Sequence, residues 1–263
     1  MIAVASGKGG VGKTTVAVNL ALALHAQGHA VGLVDADLYG PDVPRMLGLR
    51  RKRDASSIML SAPRSRAGSR LEVVERHGIQ LASAAFLLGE NQGLGIQADL
   101  AQLMVRRLIT DAAWEDIGYL VVDLPPGTAD IQQFVLGLTS RPVFLLVVVT
   151  PQVIAHQDAR RLIAYLGQHN PGVHLGGIEN MSGQICPSCG HRTELFPAAP
   201  AEESIWGLVP KLVSIPFSAA AAADADRGLP VMVSGAVPEQ AAAYEALAKE
   251  LCQSIGERDA ARA

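Results

Sequence analysis

The sequence predicts an α/β fold in which a mostly parallel sheet is covered by helices on both faces. Short apolar runs such as residues 143–149 are typical of strands that are buried on both sides. Stretches with helical spacing, such as 154–168, alternate with these runs, which favours parallel strands joined by right-handed crossovers. With 263 residues, 49% of them hydrophobic, the chain suits one large domain with a well-buried core. We therefore expect a single domain over residues 1–263.

The strongest motif is a glycine-rich loop between the first apolar run and the first helical pattern. The stretch Gly7-Lys8-Gly9-Gly10-Val11-Gly12-Lys13-Thr14 fits G-x-x-x-x-G-K-S/T at every fixed position, and the helix continues from Thr15. Glycines allow the backbone N–H groups to surround phosphate oxygens, and the helix that follows adds its positive dipole end. In such a loop Lys13 bridges the β- and γ-phosphates and the Thr14 hydroxyl ligates Mg²⁺. The sequence thus predicts a P-loop NTPase that binds ATP with Mg²⁺, an interpretation favoured over a glycine-rich turn with an incidental lysine.

A second lysine, Lys8, lies inside this loop, where Lys13 already serves the phosphates. One interpretation is a solvated charge at the loop tip. The other is a cation that reaches the phosphates of a nucleotide held by a second subunit, as an arginine finger does. The second interpretation predicts a homodimer.

Carboxylates follow two of the predicted strands. Asp35 and Asp37 come after one apolar run and Asp123 after another, which places all three on the rim of the sheet that carries the glycine-rich loop. We expect Asp123 to hold Mg²⁺ through water, and the Pro-Pro-Gly-Thr segment after Leu124 to sense the γ-phosphate. Alternatively, Asp35 or Asp37 only caps the next short helix.

The cysteines form a close pair, Cys186 and Cys189, and a distant third, Cys252. An iron–sulfur cluster or a closed zinc site typically needs four ligands, so two chains related by a two-fold axis would supply a complete set. Alternatively, His191 helps to complete a zinc site within one chain. A thioredoxin-type redox pair is disfavoured because Cys186 does not open an evident helix. Cys252 is interpreted as a small buried apolar residue.

Composition argues against nucleic acid and membranes as partners. The net charge is −3 and the pI about 6.2. The exception is 50–70, with seven basic residues and one acidic residue, which we interpret as a flexible basic insertion; a nucleic-acid role for it is the weaker alternative. No leader and no apolar run of membrane-spanning length is evident, so we expect a cytoplasmic protein.

Smaller elements are also predicted. Residues 71–75 and 80–84, separated by His77-Gly78, should form a hairpin. A helix over 98–111 should place four apolar residues on one face: Leu100, Leu103, Met104 and Leu108. A strand over 174–179 should lead into Asn180, and one over 212–215 should place Pro216 near the nucleotide base.

Taken together, the motifs resemble the Mrp family of iron–sulfur carrier ATPases. The resemblance rests on the glycine-rich loop and on four further segments: Asp-Ala-Asp-Leu-Tyr-Gly-Pro at 35–41, Asp-Leu-Pro-Pro-Gly-Thr at 123–128, Glu-Asn-Met-Ser at 179–182 and Cys-Pro-Ser-Cys-Gly at 186–190. This family is part of the deviant Walker A class, with MinD, ParA, the arsenite pump ATPase and the nitrogenase iron protein. The resemblance implies a slow Mg²⁺-dependent ATPase that transfers a 4Fe–4S cluster, bridging two subunits, to recipient apoproteins.

The resemblance also implies roles for single residues. Lys8 matches the signature lysine, Lys13 and Thr14 the phosphate and Mg²⁺ ligands, and Asp37 the residue that positions the attacking water. Asp123 matches the carboxylate facing Mg²⁺. Asn180 matches the adenine contact. Cys186 and Cys189 match the cluster ligands.

Three departures from the family pattern are visible. Ala129 stands where the family usually has glycine, and Gly95-Ile96-Gln97-Ala98 replaces a Trp-Arg-Gly-Pro segment. The accessory domain that precedes the loop in many relatives is also expected to be missing, which affects the choice of partner more than the nucleotide chemistry. Two alternatives remain open: a MinD- or ParA-like positioning ATPase without metal, and a zinc or nickel insertion chaperone.

Overall fold

The computed structural model describes residues 1–49, 70–88, 96–127, 129–139, 142–170, 172–186 and 188–260. Of the segments singled out above, the basic stretch lies outside these residues except for Arg70. Thr128 at the end of the Pro-Pro-Gly-Thr segment lies outside them as well.

A single mixed sheet holds the strands of the described residues. In chain order they are β1 (Ile2–Ala5), β2 (Val31–Asp35), β3 (Val74–Arg76), β4 (Ile79–Ser83), β5 (Tyr119–Asp123), β6 (Phe144–Val149), β7 (His174–Ile185), β8 (Arg192–Thr193) and β9 (Lys211–Phe217). The spatial order is β3-β4-β2-β5-β1-β6-β7-β8, with β9 paired to β7. All pairs are parallel except β3–β4 and β7–β8, which confirms the predicted mostly parallel sheet.

Helices connect the strands and pack against the sheet. They are α1 (Lys13–Ala26), α2 (Val43–Met46), α3 (Ala84–Leu87), α4 (Ala98–Thr110), α5 (Ala129–Leu136), α6 (Val153–His169), α7 (Ala219–Asp226), α8 (Val231–Ser234) and α9 (Pro238–Ala260), with a 3-10 turn at Ile205–Gly207. The central strand β1 is completely buried between β5 and β6. Every residue of α1 from Val16 to Leu24 is buried as well, so the helix that starts at the glycine-rich loop is fixed against the core.

The predicted hairpin is confirmed, with shifted ends. Strands β3 and β4 pair antiparallel around His77 and Gly78, whose φ angles are 51° and 77°. Two successive positive φ angles are typical of a type I′ turn, which matches the twist of the strands it joins. Because β4 also pairs in parallel with β2, the hairpin extends the main sheet.

The predicted apolar face of the helix over 98–111 is partly wrong. Leu108 is buried in α4, but Leu100 and Leu103 are 50% and 53% exposed. The face that packs on the core is shifted around the helix and includes Ala101 and Val105. Small residues on that face allow close packing, a tertiary effect that helical periodicity alone does not reveal.

Strand β7 is longer than predicted. It continues past Glu179 through Asn180 to Ile185, so the segment expected to follow the strand lies within it. The closing helix α9 buries Tyr244, Leu247 and Leu251, which recur at helical spacing on one face. Within the described residues, the helices all lack the combination of length and apolarity that a membrane span requires.

A buried histidine joins α6 to the 3-10 turn. His156 Nδ1 accepts a hydrogen bond from the Ile205 N–H at 3.2 Å, and its ring meets that of Trp206 edge-on at 5.3 Å. Burial lowers the pKa of His156 below its ordinary value near 6.5. The folded state therefore takes up this proton less readily than the unfolded state.

We expect the contribution of His156 to stability to fall as the pH drops below about 6.5, because the unfolded imidazole then gains a proton that the folded one excludes. The contribution should reach at most about 1.4 kcal/mol per pH unit and level off below the folded pKa. His156→Asn keeps an acceptor near the Nδ1 position and should flatten this slope. Urea unfolding between pH 5 and 8 provides the measurement, with the exposed His169→Asn on the same helix as control. Equal slopes in wild type and His156→Asn would contradict this account.

Candidate nucleotide and thiol site

The glycine-rich loop connects β1 to α1 and is shaped by contacts that exclude a side chain. A Cβ on Gly7 would lie 2.4 Å from the backbone of Asp158, so α6 packs directly on the loop. Gly12 has a φ of 84°, and a Cβ there would lie 2.2 Å from Asn180 Nδ2. Around Gly9 and Gly10, by contrast, a Cβ would meet nothing within 4 Å. The loop is therefore anchored at both ends and open along its middle.

Behind the loop, a buried ion pair joins the start of α1 to the end of β5. Lys13 Nζ lies 2.6 Å from Asp123 Oδ1, and the Thr14 hydroxyl donates to Asp123 Oδ2 at 2.7 Å. Lys13 is 5% exposed and Asp123 completely buried. Burial raises the pKa of Asp123, and the charge of Lys13 opposes that shift. The structure thus brings together three residues that the sequence assigned to phosphate and Mg²⁺.

The two aspartates after β2 have different surroundings. Asp35 lies opposite Asp123 in the register of β2 and β5, and its Oδ2 accepts the Ser83 hydroxyl at 2.7 Å. Burial and then the charge of Asp123 raise the pKa of Asp35 well above its ordinary value. Asp37 Oδ1 accepts the N–H groups of Tyr39 and Gly40, both at 3.2 Å.

The capping alternative is not what the structure shows for Asp37. The residue that precedes α2 is Asp42, and its side chain makes no capping hydrogen bond. Asp37 instead fixes the turn that leads to Gly40 and keeps Oδ2 as a second acceptor.

A cavity of about 120 Å³ lies beside the loop, between β7, β9, α7 and α9. Asn180 and Pro216, both predicted near the base, line it together with Gly12 and Thr15. Asn180 Nδ2 also donates to the Val11 carbonyl at 2.8 Å, which ties β7 to the loop.

Gln240 and Tyr244 also line this cavity, and neither was predicted from the sequence as a site residue. Gln240 Nε2 donates to the Pro216 carbonyl at 2.6 Å, and Tyr244 is completely buried one turn along α9. The spacing of four residues on the last helix was the available signal, but it indicates a core face equally well.

The segment after Asp123 is held from two sides. The Gly127 N–H donates to the Ser6 carbonyl at 3.4 Å, and Gly127 has a φ of 66°. Gln132 Nε2 on α5 donates to the Pro125 carbonyl at 2.9 Å, while its buried Oε1 has no hydrogen-bond partner. These contacts hold Pro125 against α5 and Gly127 beside Ser6, at the start of the glycine-rich loop. Lys8 in that loop is half-buried.

The paired cysteines lie in the connection between β7 and β8. The Cys186 N–H donates to the His191 carbonyl, and the Gly190 N–H donates to the Cys186 carbonyl, both at 2.9 Å. Cys189 is exposed and Cys186 half-buried. The backbone N–H of Ser188, followed by that of Cys189, lowers the pKa of the Cys186 thiol. We call this turn, from Cys186 to His191, the thiol hairpin.

The described residues contain no group of three or more histidine, cysteine, aspartate or glutamate side chains placed to hold a metal ion. His191 is exposed and is thus not brought together with the two cysteines as a third ligand. Cys252 is half-buried, with Sγ 3.3 Å from His29 Nε2, so it is less apolar in its surroundings than predicted. Within the part of the chain that the structure describes, the thiol hairpin therefore supplies two ligands.

The chain is similar to known proteins over nearly its whole length. A family model described as "ParA: NUBPL iron-transfer P-loop NTPase" matches residues 1–252. The "Iron-sulfur cluster carrier protein" of Escherichia coli K12 is 36% identical over 256 residues, covering 97% of this chain and 66% of the relative. The protein of that name from Synechocystis sp. is 39% identical over 259 residues, covering 97% of this chain and 70% of the relative. The chain thus spans about two thirds of these relatives.

Solved structures give the same result for the fold. A nucleotide-binding protein from Archaeoglobus fulgidus, solved with ADP, is 32% identical with a TM-score of 0.67, covering 91% of this chain and 89% of that one. The cell division ATPase MinD of Pyrococcus furiosus is 21% identical with a TM-score of 0.66, covering 96% of this chain and 98% of that one, and shows the fold alone. On the family match and the identity to these carriers, the chain belongs to the NUBPL iron-transfer P-loop NTPase family.

Proposed function

We propose that this protein is an ATP-hydrolysing carrier of a 4Fe–4S cluster, which it holds between two subunits and transfers to recipient apoproteins. The observation that carries the proposal is that one strand bears both a contact to the glycine-rich loop and, at its end, an incomplete thiol site. Asn180 in β7 contacts the glycine-rich loop, and Cys186 follows the end of the same strand. The names of the relatives, iron–sulfur cluster carrier proteins, agree with this combination.

The nucleotide half of the proposal is supported by the fit of the donors. The open middle of the loop offers backbone N–H groups to phosphate oxygens, and Lys13 adds a buried cation. The Thr14 hydroxyl and the Asp123 carboxylate are hard oxygen ligands of the kind that Mg²⁺ prefers. When bound, Mg²⁺ would neutralise charge that develops on the β- and γ-phosphates.

Lys13 and Thr14 both contact Asp123, so nucleotide and Mg²⁺ must exchange with these contacts. Lys13 would turn from Asp123 towards the phosphates, and Asp123 would then face the metal through water. Asp37, held at Oδ1 by two backbone N–H groups, would orient the attacking water through Oδ2. Among the described residues, Lys13 is the buried cation of this loop, and no arginine is hydrogen-bonded to the loop. Because an arginine finger would stabilise the transition state, we expect slow turnover in a single chain, and faster turnover only if a partner contributes such a cation.

The thiol half of the proposal follows from ligand number. Two thiolates are half of what a 4Fe–4S cluster requires, and a two-fold axis through the thiol hairpins would supply the rest. Backbone N–H groups that lower the pKa of Cys186 favour the thiolate that binds iron. Lys8 adds an independent reason for a dimer, since the two glycines that follow it, Gly9 and Gly10, are exposed and a second subunit can approach them closely.

Asp37→Ala should slow ATP hydrolysis on the order of 10²-fold or more while nucleotide affinity changes little, because the carboxylate acts mainly in the transition state. Steady-state ATPase rates and ADP affinity by calorimetry provide the comparison. Asp42→Ala removes an exposed acid five residues further on and should behave as wild type. If Asp37→Ala hydrolysed ATP at the wild-type rate, Asp37 would have no part in the mechanism.

Lys8→Ala should impair hydrolysis at the site of the partner subunit, because Lys13 already serves the phosphates within the same chain. The test mixes Lys8→Ala subunits with Asp37→Ala subunits. In a mixed dimer one site keeps Asp37 in cis and Lys8 in trans, so activity should rise above that of either variant alone. Activity that never exceeds the average of the two variants would place Lys8 in cis or outside the reaction.

Cys186→Ala and Cys189→Ala should each abolish cluster binding, since either change leaves a dimer with two thiolates. After anaerobic reconstitution, wild type should hold about four irons per dimer with cluster absorbance. Cys252→Ala is the matched control and should keep the cluster, and all three variants should still bind ATP.

Stoichiometric zinc without iron would favour an insertion chaperone instead. An absence of metal with stimulation by DNA or lipid would favour a positioning ATPase.

A further inference from the structure

The cavity beside the glycine-rich loop, which we call the base cavity, is separated from the thiol hairpin by one irregular stretch of β7, residues 181–183. Met181 has a φ of 56°, a left-handed conformation that is costly for a residue with a side chain, and Gly183 has a φ of 148°. Asn180 pairs with Ile215 of β9 and Gln184 with Phe217, so four steps along β7 match two along β9. The stretch is thus a β-bulge with two extra residues, which we call the β7 bulge.

On one side, the β7 bulge forms a wall of the base cavity. Met181, Pro216 and Phe217 all line this cavity. The Met181 Cε lies 3.7 Å from where a Cβ would stand on Gly12, so the side chain reaches across to the glycine-rich loop. Anything that fills the cavity must therefore contact the residue whose backbone is strained.

On the other side, the β7 bulge is clamped to the thiol hairpin by one arginine. Arg192 Nη2 donates to the Ser182 carbonyl at 3.2 Å and to the Ser182 hydroxyl at 2.9 Å. A Cβ on Gly183 would lie 3.0 Å from Arg192 Nε, so the clamp fits closely over the glycine. Arg192 pairs with Ile185 in the register of β7 and β8, directly beside Cys186.

We propose that the β7 bulge transmits occupancy of the base cavity to the cysteine pair, and that Arg192 is the positioning residue that makes this link. A base that contacts Met181 would favour one backbone conformation of the β7 bulge over another. Because Arg192 is hydrogen-bonded to Ser182, a shift of Ser182 would move β8, the strand that follows the thiol hairpin. The inference rests on the proposed function in one respect, that the cavity takes the base of a nucleotide. A nucleotide could also affect the cysteines by bringing two subunits together, which would depend on the γ-phosphate. The link through the β7 bulge is different, because it acts within one chain and needs no γ-phosphate.

The test uses the full chain in a Cys252→Ala background, with ADP as ligand because ADP fills the base site without a γ-phosphate. The alkylation rates of Cys186 and Cys189 by iodoacetamide are measured by peptide mass spectrometry, with and without saturating ADP. We expect ADP to change these rates about 5-fold or more in the parent chain, a coupling of ordinary size. In Arg192→Met the ADP effect should fall below about 2-fold while ADP affinity stays within about 2-fold of the parent.

Two further variants separate the clamp from general effects. Arg192→Lys keeps the charge and a nitrogen that can donate to both Ser182 oxygens, but on a shorter side chain, so it should restore part of the ADP effect. Arg107→Ala breaks a surface ion pair with Asp111 on α4 and should respond to ADP as the parent does. Arg192 is itself exposed, so its removal leaves the core intact, which circular dichroism can verify.

The outcomes distinguish the inference from the function on which it rests. If the parent chain fails to bind ADP, the proposed function fails and the inference with it. If ADP binds but leaves the parent alkylation rates unchanged, or if the ADP effect survives intact in Arg192→Met, the inference is overturned while the carrier function stands.

Discussion

The site depends on one buried charge pair, Lys13 with Asp123. An ammonium and a carboxylate taken out of water each need a partner of opposite charge, and in this structure each is the partner of the other, so the start of α1 lies against the end of β5. That requirement fixes the glycine-rich loop over the centre of the sheet, where β1 lies between β5 and β6. Among the described residues, Lys13 is the only cation that contacts the Asp123 carboxylate, so one positive charge offsets one negative charge at this site. Asp35, buried opposite Asp123, has a raised pKa and so adds less negative charge where phosphates must bind.

Features encoded in a few consecutive residues were accessible from the sequence. The loop at 7–14 requires glycines for conformational reasons that hold wherever it occurs, and His77-Gly78 can accept two positive φ angles. Asp35 at the end of β2 and Asp123 at the end of β5 lie side by side on the rim that carries the loop, because parallel strands end on the same rim of a sheet. In each case the local chemistry and the overall topology agree, so one predicts the other.

Features created by packing between distant segments were not accessible. The exposure of Leu100 and Leu103 depends on which side of α4 meets the core, and small residues such as Ala101 decide that. Gln240 reaches the base cavity only because α9 crosses β9 at Pro216. The length of β7 was not predicted for another reason. The backbone leaves the regular strand conformation at Met181 and Gly183, and the strand resumes only because Gln184 pairs with Thr193 of β8.

The continuation of β7 has a consequence for the proposed function. At about 3.3 Å per residue, the six steps from Asn180 to Cys186 place the first thiol of the pair within roughly 20 Å of the base cavity along a single strand. Subunit closure through Lys8 and the loops at Asp37 and Asp123 would respond to the γ-phosphate, whereas the β7 bulge would respond to the base, which ATP and ADP share. Two signals of different origin would then reach one pair of thiols. A carrier built this way can distinguish three conditions, without nucleotide, with ADP and with ATP, because each condition sets the two signals differently.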